Sequence, residues 1–121
     1  MFSELQGLSI NLELARKVLA HHENTVTISI EEIQRIVSEY YKIRVTDLKS
    51  TSRAKPILVP RQIAMYLSKT MTPRSFPEIG RRFGGRDHTT VLHAVRKIEE
   101  LISNDQKLGH EIELLRRLIT E

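Results

Sequence analysis

Apolar positions in this 121-residue chain recur at three- and four-residue spacing along most of its length, the mark of amphipathic helices. Residues 1–10 show no clear period. Leu12, Ala15, Val18 and Leu19 then share one face of a helix that Asn11 can cap and that runs to about His22. Glu23-Asn24-Thr25 breaks the pattern, and the β-branched Val26, Thr27 and Ile28 read as extended. Ser29-Ile30-Glu31-Glu32 fits a capping box, and the helix it opens carries Ile33, Ile36, Val37 and Tyr40 inward. Thr46-Asp47-Leu48-Lys49 reads as one short turn, and Ser50 to Lys55 as a polar, basic loop.

The next helix runs to about Thr70 and buries Ile63, Ala64 and Leu67. Pro60 either takes its first position or bends it. Thr72-Pro73-Arg74 is a turn, and Ser75 with Glu78 makes a second capping box for a short helix ending near Phe83. Gly84-Gly85 leads into a long helix from Asp87 to about Ser103. Asn104-Asp105 interrupts it before a last helix over 108–119. The predicted class is all-α: a compact helical domain with a helix-turn-helix, preceded by a connector helix.

Charge sharpens this picture. The net +4 is unevenly spread: residues 1–41 and 98–121 each hold three basic and six acidic side chains. Residues 42–97 hold thirteen basic side chains against Asp47, Glu78 and Asp87. A charge run alone is usually a solvated face, but this one coincides with the helix-turn-helix and is a candidate phosphate-binding surface. The length suits one domain. With no cysteine, disulfides, thiol nucleophiles and Cys-ligated zinc are excluded. No apolar run approaches a membrane span and no signal peptide is visible, so the expected location is the cytoplasm. Aromatic side chains are few, a poor endowment for stacking single-stranded bases.

The candidate chemistry lies in Gly84-Gly85-Arg86-Asp87-His88-Thr89-Thr90-Val91-Leu92-His93-Ala94. Glycine tolerates positive φ, so the second helix can turn sharply from the first. On a helical wheel Val91, Val95, Ile98 and Ile102 form one stripe, with Arg86, Thr90, His93 and Lys97 opposite and His88 at the N-terminal end. A polar helix start held out from a basic domain is what major-groove reading needs. Threonine methyls suit thymine, and histidine can bond a purine edge or a phosphate. Asp87 could cap the helix, accept from a cytosine amino group, or do both. An enzyme built on Asp87, His88 and His93 is the contrasting reading. Two histidines five residues apart are poorly placed for a shared metal, and no nucleophile–base–orienter set is present.

This segment resembles the signature of the DnaA family of bacterial replication initiators. The resemblance covers about residues 26–119. Ile33-Gln34 with Glu39-Tyr40-Tyr41 is similar to the first helix of the family's C-terminal DNA-binding domain. Pro60-Arg61-Gln62-Ile63-Ala64-Met65-Tyr66-Leu67 and Pro77-Glu78-Ile79-Gly80 match in the same order. Residues 1–25, with Leu14-Ala15-Arg16, resemble the end of the AAA+ lid and its connector helix, which leaves 26–121 as the DNA-binding domain. The family's Walker-type ATP motif is absent from these residues, so no cofactor is expected here, although the resemblance implies ATP for the longer family.

By resemblance the partner is duplex DNA carrying a DnaA box of the TTATNCACA type at the replication origin. The implied base contacts are Arg53 in the minor groove and Lys69, Pro77, Asp87, His88 and Thr89 in the major groove. Arg61, Gln62, Arg86, Thr90, His93 and Lys97 fall at backbone-contacting or supporting positions. Val59 stands where relatives often have a basic residue, and the loop from Thr51 to Pro56 carries fewer arginines than many of theirs. The resemblance also implies association with other protomers through modules outside this chain, and acidic phospholipid binding near the connector. Residues 11–25, with Arg16 and Lys17 against Glu13 and Glu23, make only a weak basic amphipath for that role. The chain itself is expected to be monomeric. A repressor sharing the motif would instead bind a palindrome as a dimer.

Overall fold

The computed structural model of the chain describes residues 28–121. The predicted helix over 11–22, its break and the start of the extended stretch lie outside the described residues. So does the connector with its implied lipid site. Among the described residues there are six helices and no strand, in the order α1 (Ile30–Tyr41), α2 (Val45–Leu48), α3 (Lys55–Met71), α4 (Phe76–Arg82), α5 (His88–Asn104) and α6 (Gln106–Thr120).

The apolar stripes read from sequence converge on one core. α3 packs against α1 and α5, α4 packs against α5, and α6 closes against α1 and α5. Ile33, Val37, Leu48, Ile63, Leu67, Ile79, Phe83, Val91, Ile98 and Leu115 are fully buried where these helices meet. Burying each such side chain removes about 1.5–3 kcal/mol worth of apolar surface from water.

Local chemistry sets the helix ends. Ser29 Oγ accepts from the Glu32 backbone N–H at 3.0 Å, and Ser75 Oγ accepts from Glu78 N–H at 3.4 Å. The glutamates do not return the bond as a full capping box requires. Glu32 turns to Arg35, and Glu78 to Arg81 and Arg82, because a guanidinium one turn on is the stronger partner. α1 is capped by Lys42 with φ 59°, and Ile43 N–H reaches back to Ser38 O at 2.9 Å.

Two predicted boundaries move. α3 begins at Lys55, inside the expected loop, because Pro56 rather than Pro60 takes the first turn. Pro60 is thereby placed in the helix interior, buried. α6 begins at Gln106 because Asp105 Oδ1 accepts from the backbone N–H groups of Lys107 and Leu108. Tyr40, expected to point inward, is 36% exposed. The inward positions are Ile30, Ile33, Gln34, Val37 and Ser38, an i, i+3, i+4, i+7, i+8 series that rotates the buried face away from Tyr40.

Candidate nucleic-acid interface

The two helices of the motif, α4 and α5, are joined by the turn 83–87. Gly84 and Gly85 hold φ of 87° and 77°, which supplies the reversal. Arg86 N–H closes the turn on Gly80 O at 2.8 Å. A Cβ on Gly80 would lie 2.2 Å from Arg86 O, so only glycine admits this approach. A Cβ on Gly84 would lie 2.3 Å from Lys49 O, so the turn is also pressed against the start of the 49–54 loop. The buried Gln34 donates from Nε2 to Arg82 O at 2.8 Å, satisfying a carbonyl at the end of α4. Its place in the buried face of α1 was readable from its i+4 spacing to Ile30.

The first turn of α5 projects from this frame. Val91, Ala94, Val95 and Ile98 are buried, whereas Asp87, His88, Thr89 and Thr90 are exposed. Asp87 is the residue before the helix but makes no side-chain cap hydrogen bond. Its carboxylate instead accepts from the Thr89 hydroxyl at 2.6 Å and lies 3.2 Å from His88 Nδ1. The Thr89 hydroxyl is the main cause holding the Asp87 carboxyl below its ordinary range. Asp87 therefore orders the polar side chains around it. Pro77 is exposed in the first turn of α4. Lys69, on the last turn of α3, sits 4.6 Å over the Phe76 ring.

A second group lies on the flank of α5. Gln62, Thr90, His93 and Lys97 line a cleft of about 240 Å³ together with Arg61, Arg86, Leu58, Met65 and Ala94. The two arginines do not project from it freely. Arg61 is 4% exposed and donates from both terminal nitrogens, to Ser50 O at 3.0 Å and Ser52 O at 2.8 Å. Arg86, placed by the helical wheel on the outward face, lies before α5 begins and turns back to donate to the same Ser50 carbonyl. Burial lowers the affinity of both guanidiniums for their protons, and in Arg61 the nearby Arg86 charge adds to the effect.

Arg53 lies in the loop between these anchors and is exposed, with no hydrogen-bond or ion-pair partner among the described residues. The sequence-read candidates thus fall into three sets: an exposed tip (Asp87, His88, Thr89, with Pro77 and Lys69 on neighbouring helix ends), a basic cleft beside it, and the Arg53 loop. The roles of the Ser50 and Ser52 carbonyls had no signature in the sequence, because main-chain acceptors have none. No cluster of three or more His, Cys, Asp or Glu among the described residues could hold a metal, and no described helix is long and apolar enough to cross a membrane.

The family model for the bacterial DnaA protein helix-turn-helix matches residues 30–98, a span that begins at α1 and takes in the tip, the cleft and the loop. The chain belongs to the bacterial DnaA helix-turn-helix family. It is 61% identical over 116 residues to the chromosomal replication initiator protein DnaA of Rhizobium johnstonii, covering 93% of this chain and 24% of that protein. It is 54% identical over 119 residues to the DnaA of Bdellovibrio bacteriovorus, covering 98% of this chain and 25% of that protein. The chain thus spans about a quarter of the length of the relatives it matches. Among solved structures it resembles a crystal structure of a DNA replication initiation factor (TM-score 0.66, 29% identity, 96% of this chain and 37% of that one). It also resembles a replication initiator DnaA bound to AMPPCP and single-stranded DNA (TM-score 0.62, 29% identity, 94% and 36%).

Proposed function

We propose that this chain binds duplex DNA sequence-specifically at DnaA boxes of the TTATNCACA type, serving initiation of replication at the chromosomal origin. The α5 tip enters the major groove with Asp87, His88 and Thr89 at base edges and Lys69 and Pro77 beside them. Arg53 enters the adjacent minor groove, where a narrow A·T tract concentrates negative potential. Gln62, Thr90, His93 and Lys97 face the phosphates along the cleft, while Arg61 and Arg86 support. In this reading one chain binds one asymmetric box, and these residues hold no cofactor. Contacts between protomers belong to parts of the longer relatives that this chain does not span.

The observation that carries the reading is the exposed polar first turn of α5, seated on the buried stripe of Val91, Val95 and Ile98 inside the basic segment. Footprinting on a duplex with one central box tests it. Protection of major-groove purines and of an adjacent minor-groove A·T tract, at one chain per box, is expected. A symmetric footprint occupied by two chains would favour the repressor reading, and protection independent of the box would remove base reading altogether.

A further inference from the structure

The loop that carries Arg53 has few means of holding its own shape. Its local bonds are Ser50 Oγ and Ser50 N–H to Asp47 O at 2.7 and 3.2 Å, Ser52 N–H to Ser50 Oγ at 3.3 Å and Ala54 N–H to Ser52 Oγ at 3.2 Å. The latter two are long, and Thr51, Arg53 and Ala54 are exposed. Charged donors from outside the loop hold it instead. Arg61 spans the carbonyls of Ser50 and Ser52, and Arg86 takes the Ser50 carbonyl as well. The Ser52 carbonyl belongs to the peptide plane that enters Arg53. Fixing that plane fixes the Arg53 Cα and the N–Cα bond about which its side chain can swing, leaving φ of Arg53 as the one backbone rotation that still aims it.

Arg86 has a second attachment. Its own N–H is tied to Gly80 O, and its main chain leads directly into Asp87, the start of the tip. One residue therefore joins the Arg53 loop to the α5 tip. The close approach of Lys49 O to Gly84 joins them again within the same turn.

Resting on the box-binding reading above, we infer that Arg61 and Arg86 are positioning residues for Arg53, holding the minor-groove loop in fixed register with the major-groove tip. Their contribution to binding is pre-organisation: loop entropy already spent in the free protein is not charged against the complex. Leaving the loop free to move should cost about tenfold in affinity, the equivalent of ordering one residue's backbone.

A double-mutant cycle on the whole chain tests this, with a duplex carrying one TTATNCACA box. Arg86→Gln is measured in three backgrounds: unaltered, Arg53→Ala and His88→Ala. Positioning predicts that Arg86→Gln weakens box binding about tenfold in the unaltered and His88→Ala chains and by less than about twofold when Arg53 is already alanine. The salt slope of binding should stay the same. Equal losses in all three backgrounds, with a shallower salt slope, would overturn the inference and make Arg86 a direct phosphate contact. If Arg53→Ala alone leaves box affinity intact, the minor-groove reading itself fails, an outcome separate from additivity in the cycle. Arg86→Lys, which keeps the charge and loses the planar fork, serves in the same cycle should the glutamine variant unfold by circular dichroism. Arg61→Lys gives the parallel cycle from the other anchor.

Discussion

The tip of α5 and the Arg53 loop are neighbours held in place by opposite means. The tip is an extension of the core: Val91, Val95 and Ile98 are sunk into it, and the exposed turn rides on their packing. The loop has no apolar anchor, since residues 49–54 contribute no buried side chain. It is held by guanidinium-to-carbonyl bonds from Arg61 and Arg86. Packing fixes an element through many small contacts, and losing any one of them leaves the rest in place. A polar clamp depends on a few charge-assisted bonds, each of which carries a large share. The tip should therefore fail only when the domain fails, whereas the loop can be released alone.

The largest expected effect comes from breaking the packing. Ile98→Ala should destabilise the chain by about 2–5 kcal/mol in urea unfolding, with tip and loop lost in the same transition. Separate transitions would show that the clamp on the loop outlasts the core that positions Arg61 and Arg86. The clamp comes next. Arg61→Ala should cost about 1.5–3 kcal/mol of stability, the scale of hydrogen bonds to a charged group, and should raise amide exchange in residues 50–54 above that in α5. The salt slope of DNA binding should not change. A slope lowered by about 1 would mean that the guanidinium leaves its carbonyls for a phosphate in the complex.

Side chains that project from each region should affect binding without affecting stability. Arg53→Ala and His88→Ala should each cost about 1–3 kcal/mol on a box duplex while leaving the unfolding midpoint unchanged. Equal losses on scrambled duplex would mean that the side chain holds backbone only. The smallest effect is acid-linked. The folded Asp87 carboxyl titrates below its ordinary value, so its contribution is present above that value and fades as the pH falls through the depressed one. A carboxyl NMR titration should show the low midpoint, and Thr89→Val should move it back up. No change in that variant would separate Asp87 from its hydroxyl partner.

The same contrast explains what was legible in the sequence. The stripe of Val91, Val95 and Ile98 announces α5 and the face it buries, because burial imposes a period on the side chains. Gly84 is readable as a turn residue, though its near contact with Lys49 O is not. Asp87 looked like a cap, but its carboxylate found a closer partner in the Thr89 hydroxyl. The clamp was hidden. Arg61 lies 11 positions from Ser50 and 9 from Ser52, and Arg86 lies 36 from Ser50. The acceptors are main-chain oxygens that any residue could supply. Counting charges places Arg61 and Arg86 in a phosphate-facing block, and only three-dimensional contacts show both turned inward to the loop.

The most direct test of sequence-specific duplex reading is the affinity of the whole chain for a box duplex and for a scrambled duplex of equal length, measured side by side across salt concentrations. Box reading predicts preference for the box by about 10³-fold or more at physiological salt, with both affinities falling as salt rises. Equal affinity for the two duplexes at every salt concentration would contradict it.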